Sequence, residues 1–392
     1  MHTNASQACP GPQTPQAMRA FAAELDQIRI DTLAKVGDAD ARYIVRLLWA
    51  IRAIESAGRL LLMTSPWLPT WWLGAGLLGL SKCLQNMEFG HNVMHGQYEW
   101  MNDPRFDGKT HEWDLAGNKE DWRHTHNFKH HHYTNVLEMD RDFGYGMLRL
   151  SADVPWERRF LMQAPYALIV MVLFEWAIAI HNMEVERLRT DREGTKARIN
   201  TLWPAARAKM WSQIKKDYIV WPLIGGLVSL ALGAGLLKGV VAVVLGNALA
   251  NVIRNVWSFI VIFCGHFTDG CYTFDPAVTH NEDKAHWYLR QILGSSNLKG
   301  GKWFNLLTGN LSHQIEHHLF PDVPGRRYAE VAVRVREVCR RHGLPYNTGT
   351  LSGQSWTVAR RIVRHSFPGG EHTLAPVAAP MPTPRAQDLN AA

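Results

Sequence analysis

Apolar runs long enough to cross a membrane alternate along this chain with polar stretches. Residues 1 to about 38 are polar and carry Pro10, Pro12 and Pro15. They contain no apolar core of a secretory signal, so residues 1–40 read as a cytoplasmic tail. From Ala41 to Met63 apolar residues recur with a helical period, interrupted by Arg46, Arg52, Glu55 and Arg59. Glu55 and Arg59 stand one turn apart and can pair, which softens the cost of placing them in a span. Pro66 and Pro69 predict a turn, and residues 70 to about 90 form a more apolar span. Residues 217–237 and 239–264 are the clearest hydrophobic pair, split between Gly235 and Gly239 with Lys238 at the hairpin tip. A span takes about 20 apolar residues, so the pattern predicts an all-α, multi-pass membrane protein with about four transmembrane helices and a helical cytoplasmic cap. One further run, residues 160–180, is long enough to cross but contains Pro165 and Glu175.

Composition refines this reading. The chain has 392 residues, 46% hydrophobic, with a mean hydropathy of -0.18. Four spans leave most of it in water. Several of its 16 tryptophans, including Trp67, Trp71, Trp72 and Trp221, lie at the ends of apolar runs, where indole favours the membrane interface. The formal charge is +7, and Arg187, Arg189, Arg192, Lys196, Arg198, Arg207, Lys209, Lys215 and Lys216 crowd one stretch. That density suits a cytoplasmic loop beside a membrane and argues against a nucleic-acid partner. Five scattered cysteines form no C-x-x-C pair, which excludes a disulfide framework and suits a reducing compartment. Gly74-Ala-Gly76-Leu-Leu-Gly79 matches a dinucleotide fingerprint, but it lies inside an apolar run with no strand before it, so close helix packing is the better use.

Candidate chemistry concentrates in histidine. Of 19 histidines, eight form three clusters just past apolar stretches: His91-x-x-x-His95, His126-x-x-x-His130-His131 and His313-x-x-x-His317-His318. Residues i and i+4 share one face of an α-helix, so each pair can offer two imidazoles to one ion. The i+5 residue points further round, and a doublet can serve a neighbouring ion. Eight ligands exceed what one ion uses, so a two-metal site follows. Imidazole suits Zn, Cu, Fe and Ni alike. A ninth candidate is His266, at the end of the last span, where Asn247, Asn251, Asn255 and Ser258 mark a polar stripe on roughly one face. If all three clusters share one site, the chain must cross the membrane an even number of times between the second and the third. That assigns residues 160–180 to the interface, half buried along one face. His313-Gln-Ile-Glu316-His317 is also an inverted zinc-protease string, but a peptidase leaves six clustered histidines unexplained.

In order and context the three clusters resemble the membrane fatty-acyl desaturases. Trp122-Arg123 and Tyr133-Thr134-Asn135 flank the second cluster, Gly309-Asn310-Leu-Ser precedes the third, and the third reads Gln314-Ile-Glu-His-His-Leu-Phe-Pro321. The resemblance runs from about 42 to 350 and is closest to bacterial acyl-CoA desaturases without a fused haem domain. Phe367-Pro-Gly-Gly370 is similar to a haem-binding motif, but phenylalanine stands in place of its histidine. The resemblance implies a desaturase domain over 41–350 and a C-terminal tail over 351–392, largely disordered, Pro- and Ala-rich from about 366. It implies that His91, His95, His126, His130, His131, His317 and His318 bind iron, with His266 as the extra histidine of the fourth span. Relatives of this type use the glutamine as first member of the third box; here both His313 and Gln314 are present, and the H-x-x-x-H-H spacing favours His313.

The activity implied is dioxygen-dependent insertion of a cis double bond into a saturated acyl chain, on CoA or a glycerolipid, at the ninth carbon of an acyl-CoA in the first instance. Two Fe ions are implied as cofactors, because zinc has no redox chemistry to offer an unactivated C–H bond. With no flavin, haem or iron–sulfur motif visible, a separate reductase or ferredoxin must supply electrons. The partners are then a fatty acyl substrate, that donor and membrane lipid, with the site on the cytoplasmic face of the cell membrane. A hydroxylase, epoxidase or ketolase would use the same ligands; a metal transporter would place them at the membrane midplane.

Overall fold

The computed structural model describes residues 10–64, 68–280 and 282–376. These are mostly helical, and among them one two-residue parallel ladder pairs β1 (Asn297–Leu298) with β2 (Thr348–Gly349). The chain runs through α1 (Pro15–Leu33), α2 (Asp38–Thr64) and α3 (Leu68–Leu84), then an elbow of α4 (Gln163–Val172) and α5 (Phe174–His181). It continues through α6 (Arg192–Lys215), α7 (Trp221–Ala231) and α8 (Leu236–His266). The last helices are α9 (Lys284–Leu293), α10 (Lys302–Leu307), α11 (Gln314–Leu319), α12 (Tyr328–Arg341) and α13 (Leu351–His365).

Helices α2, α3, α8 and α7 close a ring, each packed on the next. Glycine lets two of them touch backbone to backbone. A Cβ on Gly58 would stand 2.8 Å from the Leu78 nitrogen and 3.0 Å from the Gly74 oxygen, and one on Gly79 would meet Ile253 at 3.0 Å. The Gly74 to Gly79 string is therefore a packing surface. Among the described residues, α8 alone is an unbroken helix long and apolar enough to cross a membrane. The other runs fall short for separate reasons. α2 carries the four charges noted above, with Arg59 Nε 2.9 Å from Glu55 Oε1. α3 has 17 residues before a π-helix takes over, and α7 has 11, entered through a π turn at Lys216–Val220.

The 160–180 run becomes the α4–α5 elbow, bent by 99°. Ala167, Val170 and Phe174 are buried, while Leu161, Met162, Leu168, Ile169 and Leu173 are exposed. α8 fixes the bend: Asn255 Nδ2 donates to the Val172 carbonyl at 2.9 Å, and Arg254 pairs with Glu175. The polar stripe thus has partners along its length, with Asn247 Nδ2 on the Asp217 carbonyl at 2.6 Å and Asn251 Nδ2 3.2 Å from Asp217 Oδ2. The basic stretch expected as a loop is the helix α6, tied down by Lys209 Nζ on Glu112 Oε1 at 2.7 Å.

Both presumptive tails contain packed structure. Met18, Phe21, Leu25 and Ile28 of α1 are buried against Tyr288 and Ile292 of α9 and Val331 and Val335 of α12. Their spacing of three and four residues is an amphipathic stripe that the prolines around it conceal. At the other end, Val358 and Ile362 of α13 pack with Phe263 of α8 and Phe267 just beyond it. Beyond α13 the chain runs back along the molecule, where Thr273 N donates to the Thr373 carbonyl at 2.8 Å. Residues 377–392 of the expected tail, and Trp67 and Pro66 of the expected turn, lie outside the described residues.

Because the atoms facing Gly58 are backbone and cannot move aside, G58V is expected to destabilise the protein by about 1–3 kcal/mol through overpacking. A thermal melt of the purified variant checks this, and an unchanged midpoint would mean that α2 and α3 are not in backbone contact.

Candidate metal centre

Two π-helical stretches prepare the site. Gln85–Gly90 leads into His91, and Arg123–His130 carries the second cluster. The His131 N–H bonds to the His126 carbonyl, five residues back, as the His91 N–H does to Asn86. A wider turn of this kind takes in one more residue than an α-turn, so residues four and five beyond His126 both fall near its face. The α-helical expectation, in which His131 points well away from His126, is corrected accordingly: all three rings face the interior.

Three elements meet there. Ligand-capable nitrogens of His91, His95, His126 and His317 lie within 4.8 Å of one another, and so do those of His130, His266 and His318. His131 sits between the two groups, forming a third such set with His317 and His318. Its ring lies 4.7 Å from that of His95, 4.7 Å from His317 and 4.4 Å from His318, centroid to centroid. Eight of the nine histidines singled out from sequence thus converge on two adjoining pockets of nitrogen.

The exception is His313. Its Nε2 is 3.3 Å from Asn305 Nδ2, its Nδ1 is 4.0 Å from Glu316 Oε2, and it joins none of the groups. The spacing argument fails because the chain is not helical where it was assumed to be. Asn310 turns in the left-handed region at φ 56°, His313 has ψ 57°, and α11 begins only at Gln314. Gln314 takes the inward place, with Nε2 2.9 Å from His266 Nε2. Glu316, the would-be base of a peptidase, is engaged by Asn297 Nδ2 at 2.9 Å and the Tyr346 hydroxyl at 2.8 Å. Burial pushes its carboxyl up to about 7, and it is not among the converging groups.

Five of the rings are held by Nδ1. His126 Nδ1 is 3.0 Å from Asp142 Oδ2, His130 Nδ1 is 3.0 Å from Asp140 Oδ1, and His318 Nδ1 is 3.0 Å from Gln291 Oε1. His317 Nδ1 lies 3.2 Å from the Tyr328 hydroxyl, and His266 Nδ1 lies 3.2 Å from the Gly294 carbonyl. These partners fix the tautomer and leave Nε2 free to ligate in His126, His130, His317 and His318, while in His266 it meets Gln314. The Nε2 atoms of His95, His126, His317 and His318, with both nitrogens of His131, are buried and have no hydrogen-bond partner among the described residues. Unpaired buried polar atoms are expensive, about 1–3 kcal/mol each, and here they are aimed at one another. Burial and the neighbouring imidazoles hold His131, His317 and His318 well below the ordinary histidine range, so they stand neutral and ready to coordinate. For His130 burial works downward, but the Asp140 carboxylate overrides it and the net direction is up. An all-imidazole donor set with orphaned nitrogens fits a pair of first-row transition ions. Sequence reading missed Asp140, Asp142, Gln291 and Tyr328. Each is distant or irregularly spaced from its histidine, and no pattern announces it.

A cavity runs beside the centre. Its walls are mainly apolar, among them Met87, Trp113, Phe174, Ile262, Phe267 and Leu311, and His91, His126, His130 and His266 border it. Asn255 and Ser258 of the polar stripe also line it. Trp122 stacks on His126 with ring centroids 4.5 Å apart, making a flat wall against the metal pocket.

A family model described as "Fatty acid desaturase" matches residues 65–350. The chain belongs to the fatty acid desaturase family. An NADPH-dependent stearoyl-CoA 9-desaturase of Mycobacterium tuberculosis is 47% identical over 351 residues, covering 89% of this chain and 80% of the relative. Fatty acid desaturase 3 of Homo sapiens is 26% identical, covering 86% of this chain and 70% of its own length. An sn-1 linoleoyl-lipid 6-desaturase of Arthrospira platensis is 23% identical, with 70% and 72% covered. The enzyme is a fatty acid desaturase, an oxidoreductase of lipid metabolism, and its histidine clusters are compatible with a bound metal.

Removing a partner of the ring nitrogens tests the geometry directly. D140N is expected to weaken metal binding about 10- to 100-fold, the usual cost of losing a hydrogen-bond partner of a ligating histidine. H313Q should leave metal content unchanged. Elemental analysis of the purified variants checks both, and loss of metal in H313Q would return His313 to the centre.

Proposed function

We propose that this desaturase inserts a cis double bond at the ninth carbon of a saturated acyl-CoA, using dioxygen and two irons held by His91, His95, His126, His130, His131, His266, His317 and His318. The observation that carries this reading is the set of orphaned imidazole nitrogens converging beside an apolar cavity. The name of the mycobacterial relative supports the carrier and the position. Bound there, two irons supply the redox capacity that dioxygen needs to take hydrogen from an unactivated C–H bond. The chain's own residues do the rest. The apolar walls receive the acyl chain and exclude water, so the depth to which it inserts sets which carbon faces the histidines. Asp140, Asp142, Gln291 and Tyr328 hold the rings so that the ions need not organise them.

The two electrons come from a separate donor, since no flavin, haem or iron–sulfur motif is present in the sequence. The domain runs from 41 to 350, and the ring of α2, α3, α7 and α8 forms the membrane spans beneath a cytoplasmic cap. The basic helix α6 and the even number of crossings between the second and third clusters support that orientation. The elbow then enters the interface and returns on the same side.

Gas chromatography of fatty acids from a desaturase-deficient host expressing the gene should show a monounsaturated product with its double bond at carbon nine. An inserted oxygen instead would assign the hydroxylase or epoxidase chemistry available to the same scaffold. H130A and H317A should each abolish the product, by at least about two orders of magnitude given the cost of losing a site's geometry, while the protein still reaches the membrane. A reporter fused after residue 216 should behave as cytoplasmic; an exported signal would require the elbow to be a full crossing.

A further inference from the structure

On a separate face, the first turns of α2 form one side of an open groove of about 900 Å³. Arg42, Tyr43, Arg46 and Leu47 line it from α2, Leu306 from α10, and Arg326 from the turn before α12. Three guanidinium groups therefore open onto one concave surface whose floor is apolar. Their charge is largely uncommitted. Arg42 reaches Asp38 only at 4.0 Å, with that carboxylate almost fully exposed, a contact worth little in water. Arg46 is exposed and has no ion-pair partner among the described residues. Arg326 lies 3.0 Å from Asp40 Oδ1, but Asp40 is shared with Arg327 at 2.6 Å. The Arg326 guanidinium also rests 5.2 Å over the Tyr43 ring, which holds it in place.

The groove sits where the helical ring meets the cap, because Asp40 at the start of α2 binds the Arg326–Arg327 turn. On the two helices that line it, Trp49 of α2 is 65% exposed and Trp303 of α10 is 72% exposed, and exposed indoles of this kind favour the membrane–water boundary. A basic pocket at that depth, polar above and apolar below, matches an amphiphile with a phosphate head: guanidinium pairs phosphate through two parallel bonds, while the lower wall takes the first methylenes. We infer that this groove binds an anionic phospholipid, with Arg42, Arg46 and Arg326 on its phosphate and Leu47 and Leu306 against the start of an acyl chain. The excess of guanidinium over carboxylate selects a lipid with net negative charge over a zwitterionic one. From the groove a bonded path leads inward. The Tyr43 hydroxyl donates to Glu88, whose second oxygen accepts from Asn310 Nδ2 at 2.8 Å, in the turn that precedes the third histidine cluster. A lipid seated there would brace that turn.

The full-length protein in neutral detergent, titrated with phosphatidylglycerol, phosphatidylcholine or inorganic phosphate, tests this by thermal melt. Phosphatidylglycerol should raise the midpoint and the other two should not. R42Q/R46Q changes two exposed side chains, so it should melt normally without lipid and lose the phosphatidylglycerol shift. The inference is overturned if phosphatidylglycerol gives no shift, if phosphatidylcholine gives an equal one, or if the double variant keeps it. An equal shift with inorganic phosphate at the same concentration would also overturn it, leaving a free-anion site.

Discussion

Imidazoles packed ring to ring in a dry interior, with six of their nitrogens buried and unpaired among the described residues, are the condition that the rest of this molecule serves. Left alone, such a cluster opposes folding, since each buried nitrogen has given up water for nothing. It persists because the surrounding structure fixes five of the rings from behind. Asp140 and Asp142 follow the second cluster, Gln291 comes from α9, Tyr328 from α12, and the Gly294 carbonyl from the end of α9. The loop after the second cluster, α9 and α12 bring those five partners to the far sides of the rings.

The helical ring does a different job. Backbone contact at Gly58 and Gly74 brings α2 and α3 close, and α3 then delivers the first cluster. α8 does two things at once, ending in His266 while its Arg254 and Asn255 grip the elbow. Phe174, at the bend, lines the cavity. The metal pocket and the acyl cavity are therefore referenced to one rigid helix. This gives a physical basis for a fixed distance between the reacting centre and the chain it acts on.

Much of this was legible in the sequence. The helical class, the glycine packing string and the convergence of eight histidines follow from spacing and apolar runs, whereas the hairpin tip expected at Lys238 falls at residues 232–235, with Lys238 already inside α8. The errors share a cause, which is that regular geometry was assumed where the backbone departs from it. His313 has the right spacing but stands before its helix starts, so Gln314 holds the inward place. The stripe of α1 was hidden by prolines, and α13 lay beyond the last motif. Partners that fix the rings lie up to 28 residues from the histidine they serve, and a pattern of that reach has no period to detect.

The π-helical turns carry a consequence for how the histidine motif is to be understood. A π turn is an α-helix that has absorbed one surplus residue, and at Arg123–His130 it brings His131 onto the face of His126. At ordinary α-helical pitch the same residues would carry His131 away from the face of His126, although the lettered motif would be unchanged. The conserved-looking string is thus shorthand for a frame offset. What the two pockets share through His131 depends on that one extra residue as much as on any histidine.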